Sequence, residues 1–335
     1  MLSSVDDVVA RLSEQRYIAD RPLATVVYLA LRLRKPILVE GPAGVGKTEL
    51  ARAAAAALGR RLIRLQCYEG LDEAKALYEW EYGKQLLYSH LLRGKVDEVV
   101  DPARDLGEAA AALRAHDDVF FNPDFLVERP ILAAIRSDEP TVLLVDEIDR
   151  ADEEFEAFLL EFLSDHAVSV PELGTLTATS VPLTVLTSNR TRELSEALRR
   201  RCLHLNVGYP DHDRELRIVR LRVPDLAPPL AEQLVAFVQS LRDLDLRKAP
   251  SIGETLDWAS ALVVLGATEL SPELIRETVA VLAKHDTDAE RVLASIADDA
   301  ETDVERAGQA AVPSAEPATY LDAKRRPRLR PGERA

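Results

Sequence analysis

The run GPAGVGKTEL, residues 41–50, sets Gly41, Gly46, Lys47 and Thr48 in the spacing G-x-x-x-x-G-K-[ST]. That spacing is suited to holding phosphate. Across Gly41, Pro42, Ala43, Gly44, Val45 and Gly46 the chain can turn so that backbone N–H groups face phosphate oxygens. Lys47 reaches the β- and γ-phosphates and Thr48 offers a hydroxyl to Mg2+. Glu49 carries the run into a helix whose positive end points at the anion. A second cluster closes the apolar run TVLLVDEIDRA, residues 141–151. At the carboxyl end of a strand, Asp146 can hold Mg2+ through its water shell, and Glu147 can polarise an attacking water. A third strand, LTVLTS, ends at Asn189, whose amide can orient that water or touch the γ-phosphate. The trio Arg199, Arg200 and Arg201 follows. It reads either as a solvated helix end stabilised by the dipole or as an arginine reaching a neighbouring subunit's γ-phosphate.

The elements that must position these residues form a regular series. PILVE, LIRL near 62–65, TVLLVD at 141–146, LTVLTS at 183–188 and LHLNV at 203–207 are short continuous apolar runs. Such runs suit strands buried on both faces. Helical segments separate most of them, so the expected fold is α/β, a doubly wound parallel sheet. Helices are expected near 4–14 and 22–33, the second with Pro22 at its start. After residue 209 the strand signal stops and four helical runs follow, with Ser251 or Gly253 capping one start and Gly266 one end. The expected division is an N-terminal helix over 1–20, an α/β domain over 21–208, an α-helical lid over 209–285 and a disordered, acidic-then-basic tail over 286–335.

Composition bounds the partners. The 335 residues carry a formal net charge of −15, which argues against coating nucleic acid, because phosphate neutralisation needs clustered Lys and Arg. Two cysteines, Cys67 and Cys202, do not make a disulfide framework and suit a reducing compartment. His204 and His212 lack metal-ligand spacing with them. No run of about 20 apolar residues is present, and the expectation is a cytoplasmic protein. Tyr68, Tyr78, Trp80 and Tyr82 read chiefly as an aromatic edge packed on the core.

In their order along the chain, these motifs resemble the P-loop ATPases of the AAA+ class, and within it the MoxR family, over roughly residues 15–285. GPAGVGKT resembles Walker A, LLVDEIDRA Walker B, TSN sensor 1, and LSEALRRRC the segment whose last arginine, Arg201, is the family's arginine finger, with Arg200 the weaker claimant. The stretches QCYEGLDEAKALYEWEYGKQLL, FFNPDFLVERPIL, EEFEAFLLEFLSD, VPELGT and APSIGETLDWA resemble the CoxD-like branch. The resemblance implies an ATP- and Mg2+-dependent, ring-forming chaperone, a hexamer. Its partners would be a von Willebrand factor A domain protein and a molybdenum-type metalloenzyme client. It also implies a hairpin before sensor 1, which VSVPELGTLTATSVP around Gly174 can supply. One departure stands out. Where many MoxR proteins open a lid helix with Pro-Arg, this chain has Pro250–Ser251, and Arg247 and Lys248 lie just upstream. The competing readings are a nucleic-acid motor, opposed by the charge and the lack of a basic stripe, and a binding switch, opposed by Glu147.

Overall fold

The computed structural model describes residues 2–91, 94, 125–170 and 174–296. The expected elements of region 68–118, the hairpin tip at 171–173 and the tail from 297 onward lie wholly or partly outside them. Helices α1 (Val5–Glu14) and α2 (Arg21–Leu33) precede β1 (Ile37–Glu40), α3 (Lys47–Leu58) and β2 (Arg61–Gln66). Next come α4 (Glu73–Leu77), β3 (Tyr78–Trp80) and α5 (Tyr82–Leu91). Beyond residue 124 follow β4 (Leu126–Glu128), α6 (Pro130–Ile135), β5 (Thr141–Asp146), a 3-10 turn (Ile148–Arg150) and α7 (Glu153–Asp165). The hairpin β6 (Ala167–Val170) and β7 (Gly174–Thr177) leads to β8 (Leu183–Ser188), α8 (Glu196–Arg201) and β9 (Leu203–Asn206). The lid comprises α9 (His212–Arg222), α10 (Pro228–Arg242), α11 (Ile252–Val264) and α12 (Pro272–Leu282).

The five expected strands pair in parallel in the order β2-β5-β8-β1-β9. Side chains alternate across a strand, so the central strands β1, β5 and β8 each feed two cores. Leu38, Leu143, Val145 and Leu186 pack with Phe155, Phe162 and Ile131 on one face. Ile37, Val39, Val142, Leu144 and Val185 pack with Val8, Val27 and Leu50 on the other. That two-sided burial is why β1, β5 and β8 read as unbroken apolar runs. β5 and β8 are buried at every position. The N-terminal helix α1 belongs to the second core through Val8 and Leu12, and Ser4 caps it by accepting from Asp7 N–H. The aromatic edge divides: Trp80 is buried and meets Tyr78 edge-on at 5.9 Å, whereas Tyr68 and Tyr82 are exposed.

The lid has its own core around Trp258, Leu230 and Leu234, and Trp258 donates to Thr278 Oγ1 at 2.8 Å. Residues 286–296 are helical, and Val292 and Ile296 pack into that core. This corrects the expected start of the tail at 286: the lid continues at least to 296. The acidic residues of this stretch concealed its apolar face, and buried Asp288 accepts the backbone N–H groups of Arg247 and Lys248. A buried ion pair organises the lid helices. Glu215, fully buried on α9, accepts both Arg242 guanidinium ends at 2.6 Å, Gln239 at 2.6 Å and the Thr255 hydroxyl at 3.0 Å. Arg242 also donates Nε–H to the Pro250 carbonyl at 2.9 Å, next to the cap of α11. No described helix is long and apolar enough to cross a membrane.

Two stability predictions follow from this core. Glu215→Ala leaves Arg242 charged and buried without its partner, and should cost about 3–5 kcal/mol in denaturant unfolding, far more than Leu29→Ala on the exposed face of α2. Burial pushes the Cys67 and Cys202 thiols up to about 12, while the unfolded chain's thiols ionise near 9.0. Their contribution to stability is therefore intact below that value and lost as pH climbs toward the folded one. Thiol reagents at pH 8 should label neither cysteine until denaturant is added, and then both.

Candidate nucleotide-binding site

The loop from β1 to α3 is held at both ends of the glycine run. Gly41 N–H donates to Ser188 carbonyl at 3.2 Å, and a Cβ on Gly41 would lie 1.9 Å from the Val207 carbonyl oxygen. Gly44 has φ +75°, and a Cβ there would lie 2.4 Å from both Cβ and Oγ of Ser251. The close approach and the positive φ exclude side chains at these points. The Lys47 ammonium donates to the carbonyls of Gly41 at 2.8 Å and Pro42 at 2.6 Å, which leaves its third N–H for a phosphate oxygen. Burial pulls the Lys47 amine below the usual lysine range, against the opposing charges of Asp149, Asp146 and Glu147. An arriving phosphate supplies the compensating negative charge.

Strand order brings the carboxylates to this loop. β8 lies between β1 and β5, so its tip separates the loop from Asp146. Asp146 is 2% exposed and engages three other elements. Its Oδ1 accepts the Thr48 hydroxyl at 2.9 Å and the Thr187 hydroxyl at 2.6 Å. Its Oδ2 accepts Arg64 Nε at 3.1 Å and a second guanidinium nitrogen at 2.7 Å. The hydroxyl and carboxylate oxygens of Thr48 and Asp146 make a donor pair that fits a hard divalent cation.

Glu147 follows in a left-handed conformation, φ 57°, its N–H donating to Thr187 Oγ1 at 2.9 Å. That turn lifts its carboxylate out of the strand line to meet three groups. Asn189 Nδ2 lies 3.3 Å from Oε1, Gln66 Nε2 3.0 Å from Oε2, and Arg150 Nε 2.9 Å from Oε2. Arg64 donates to the Gln66 amide oxygen and so aims its NH2 at Glu147. Asp149 ties the tip of β8 down, accepting Asn189 N–H and both the N–H and hydroxyl of Thr191. Burial would raise the Asp149 carboxyl, but those Thr191 and Asn189 hydrogen bonds hold it below the usual range.

A cleft of about 450 Å³ joins these parts. Its walls are the 43–49 loop, Asp146, Glu147 and Asn189, the linker Arg16–Ile18, and lid residues Ile218, Ile252, Gly253 and Leu256. Of the expected site residues, Ala43, Gly44, Val45, Gly46, Lys47, Thr48, Glu49, Asp146, Glu147 and Asn189 come together here. Gly41 and Pro42 stand behind as acceptors for Lys47. Arg201 does not line this cleft; it donates to Ser164 Oγ at 2.6 Å and to Ala197 carbonyl at 3.3 Å, and is exposed. Of its neighbours in sequence, Arg199 pairs with buried Glu40 at 3.0 Å and Arg200 pairs with Glu196. Arg247 and Lys248 also stay off the cleft, and the Lys248 ammonium sits 2.6 Å from Glu254. The lid instead brings Arg214 and Arg222 from α9. Arg222 pairs with Glu49 at 2.5 Å, and Arg214 reaches Asp20 at 3.0 Å and the Ile18 carbonyl at 2.9 Å.

A phosphate loop after the first sheet strand, an Asp–Glu pair one strand removed and a polar amide on the strand between define a P-loop NTPase domain with a helical lid. Residues 36–202 match the family model described as "AAA domain (dynein-related subfamily)", so over that segment the chain carries an AAA+ ATPase domain. A stretch of 71 residues is 44% identical to Lon protease of Brevibacillus choshinensis, taking in 19% of this chain and 9% of that protein. Among solved structures, a RuvB point mutant of Thermotoga maritima aligns over 83% of this chain and 70% of its own at 17% identity, TM-score 0.42. The RuvB Holliday junction branch migration motor of Thermotoga maritima aligns over 82% and 69% at 16% identity, TM-score 0.40. Neither superposition is close enough to bear on what the chain does.

The Gly44–Ser251 contact yields a direct test. Gly44→Ala places a methyl into the α11 cap at a φ that disfavours it, so the loop or the lid must shift. Affinity for a fluorescent ATP analogue should fall about tenfold or more, since 1.4 kcal/mol is a factor of 10 and a left-handed Ala alone costs about 1–2 kcal/mol. Unchanged affinity would show that the loop tolerates lid displacement.

Proposed function

We propose that this chain is a Mg2+-dependent ATPase of MoxR type that assembles into a ring, a hexamer, and remodels a protein partner. The observation that carries the catalytic reading is the meeting of Glu147, Asn189, Asp146 and Thr48 at one phosphate loop. Lys47 and the loop amides bind the triphosphate. Thr48 and Asp146 would hold Mg2+, which when bound neutralises charge on the phosphate oxygens. Glu147 accepts the proton of an attacking water, and Asn189, hydrogen-bonded to the same carboxylate, orients that water. Gln66 competes for the Glu147 carboxylate and must yield for it to face water. Arg201 is exposed and does not line its own chain's cleft, which supports a role on the γ-phosphate of a neighbouring copy. The CoxD-like resemblance of the stretches outside the ATPase motifs supports a metalloenzyme client, of molybdenum type, and a von Willebrand factor A domain partner.

Glu147→Gln should bind ATP with near-native affinity and lose about 10²–10⁴ in turnover. Arg201→Ala should lose about 10³, and wild-type turnover per chain should rise with protein concentration. Normal turnover by Glu147→Gln would remove the base assignment, and dilution-independent turnover by a monomer would remove the ring. The Glu147→Gln chain, locked on ATP, should co-purify a von Willebrand-type protein. Stimulation by DNA instead of by a protein partner would overturn the remodelling reading.

A further inference from the structure

A second cleft, of about 930 Å³, lies at the opposite end of the sheet from the nucleotide cleft. Residues just ahead of four strands line it: Lys35 before β1, Arg60 before β2, Pro140 before β5 and Pro182 before β8. Its floor is apolar, with Leu31, Leu58, Val181 and Leu183. Its rim is cationic. Arg11, Arg32, Arg34, Lys35 and Arg60 face Glu139, the one carboxylate among the described lining residues. Arg11 pairs with Asp7 at 3.1 Å, and Arg32 donates to Tyr28 Oη at 3.2 Å. The side chains of Arg34, Lys35 and Arg60 have no hydrogen-bond or ion-pair partner among the described residues.

Two helix ends deliver these three cations. Arg34 closes α2 in a left-handed conformation, φ 54°, and the N–H groups of Arg34 and Lys35 both return to the Ala30 carbonyl. Gly59 closes α3 likewise, and the Arg60 N–H returns to the Ala55 carbonyl at 2.9 Å. A helix end carries about half a negative charge, so the two ends and Glu139 leave about two positive charges unanswered. Burial holds the Arg60 guanidinium below its ordinary value, and an arriving anion relieves that cost.

A ligand for this surface must bring negative charge and apolar side chains together. Nucleic acid brings the charge but wants aromatic faces for its bases. Tyr28 is the one aromatic side chain among the described lining residues, and the Arg32 guanidinium already covers its ring at 5.2 Å. A polypeptide segment with Asp or Glu set among Leu or Val brings both. We propose that this cleft docks such an acidic, apolar segment of a partner protein. Arg34, Lys35 and Arg60 pair with its carboxylates, and the partly exposed Leu31, Leu58 and Val181 receive its apolar side chains. This rests on the reading that the chain acts on a protein partner, and it gives that partner's chemistry. The wall at 178–183 joins the hairpin strand β7 to β8, so a docked segment lies against the root of the hairpin. Added salt weakens the contact.

The test titrates the full chain into a short fluorescein-labelled peptide of alternating glutamate and leucine, read by anisotropy. Arg34→Glu/Lys35→Glu/Arg60→Glu should weaken saturable binding about tenfold or more. Its affinity for a fluorescent ATP analogue should stay within about twofold of wild type, because the two clefts are far apart. Val181→Asp, which keeps every cation, is the second variant and should also weaken the peptide. A peptide with serine in place of leucine should bind about fivefold more weakly, because it forfeits the apolar floor. Absence of saturable binding, undiminished binding by the triple variant, or equal binding of the serine peptide would each overturn the inference. So would single-stranded DNA that displaces the peptide through the same three cations, which would assign the cleft to nucleic acid. Wild-type turnover that responds to DNA and to no protein would remove the protein-partner reading itself, whatever the peptide does.

Discussion

A carboxylate taken out of water stays charged only if its oxygens are satisfied, and Asp146 meets that demand by recruiting side chains from three directions. Thr48 comes from the start of α3, Thr187 from β8 and Arg64 from the edge strand β2. The carboxyl ends of β2, β5 and β8 are thereby locked in register with the phosphate loop. Thr187 has a second task, since its oxygen accepts the Glu147 N–H and steadies a left-handed residue that would otherwise cost about 1–3 kcal/mol. The Glu147 carboxylate thus takes its direction through the same threonine that holds Asp146. Arg64 and Gln66 extend the same network to the sheet edge, where Gln66 grips Glu147.

The lid is positioned by similar means. Glu215 and Arg242 bind α9 to α10, Thr255 adds α11, and Arg242 fixes the Pro250 carbonyl just before Ser251. Ser251 caps α11 in a reciprocal box with Glu254. Ser251 of that cap lies against Gly44, and the lid arginines that line the cleft are Arg214 and Arg222 of α9.

Much of this was legible in the amino-acid sequence because it depends on local rules. The strands announced themselves as short apolar runs, most plainly the fully buried β1, β5 and β8, and Lys47, Thr48, Asp146, Glu147 and Asn189 stood in motifs whose spacing carries their chemistry. Ser251 and Gly266 were readable as helix punctuation. What could not be read were pairings set by strand order. Arg64 and Gln66 belong to an ordinary alternating strand, and only the placement of β2 beside β5 brings them to Asp146 and Glu147. Asp149 and Thr187 were hidden for the same reason. The lid's last helical stretch looked marginal because of its exposed acidic residues; of the two cations upstream of Pro250, Lys248 pairs with Glu254, while Arg247 meets Asp288 through its backbone N–H alone.

Asp20 has two oxygens with two employers: one caps α2 through Leu23 N–H, and the other holds Arg214 of the lid. From that point α2 runs for 13 residues, about 20 Å at 1.5 Å per residue, to Arg32 and the turn carrying Arg34 and Lys35. The tie between α2 and the lid and the turn carrying Arg34 and Lys35 therefore stand at opposite ends of one helix.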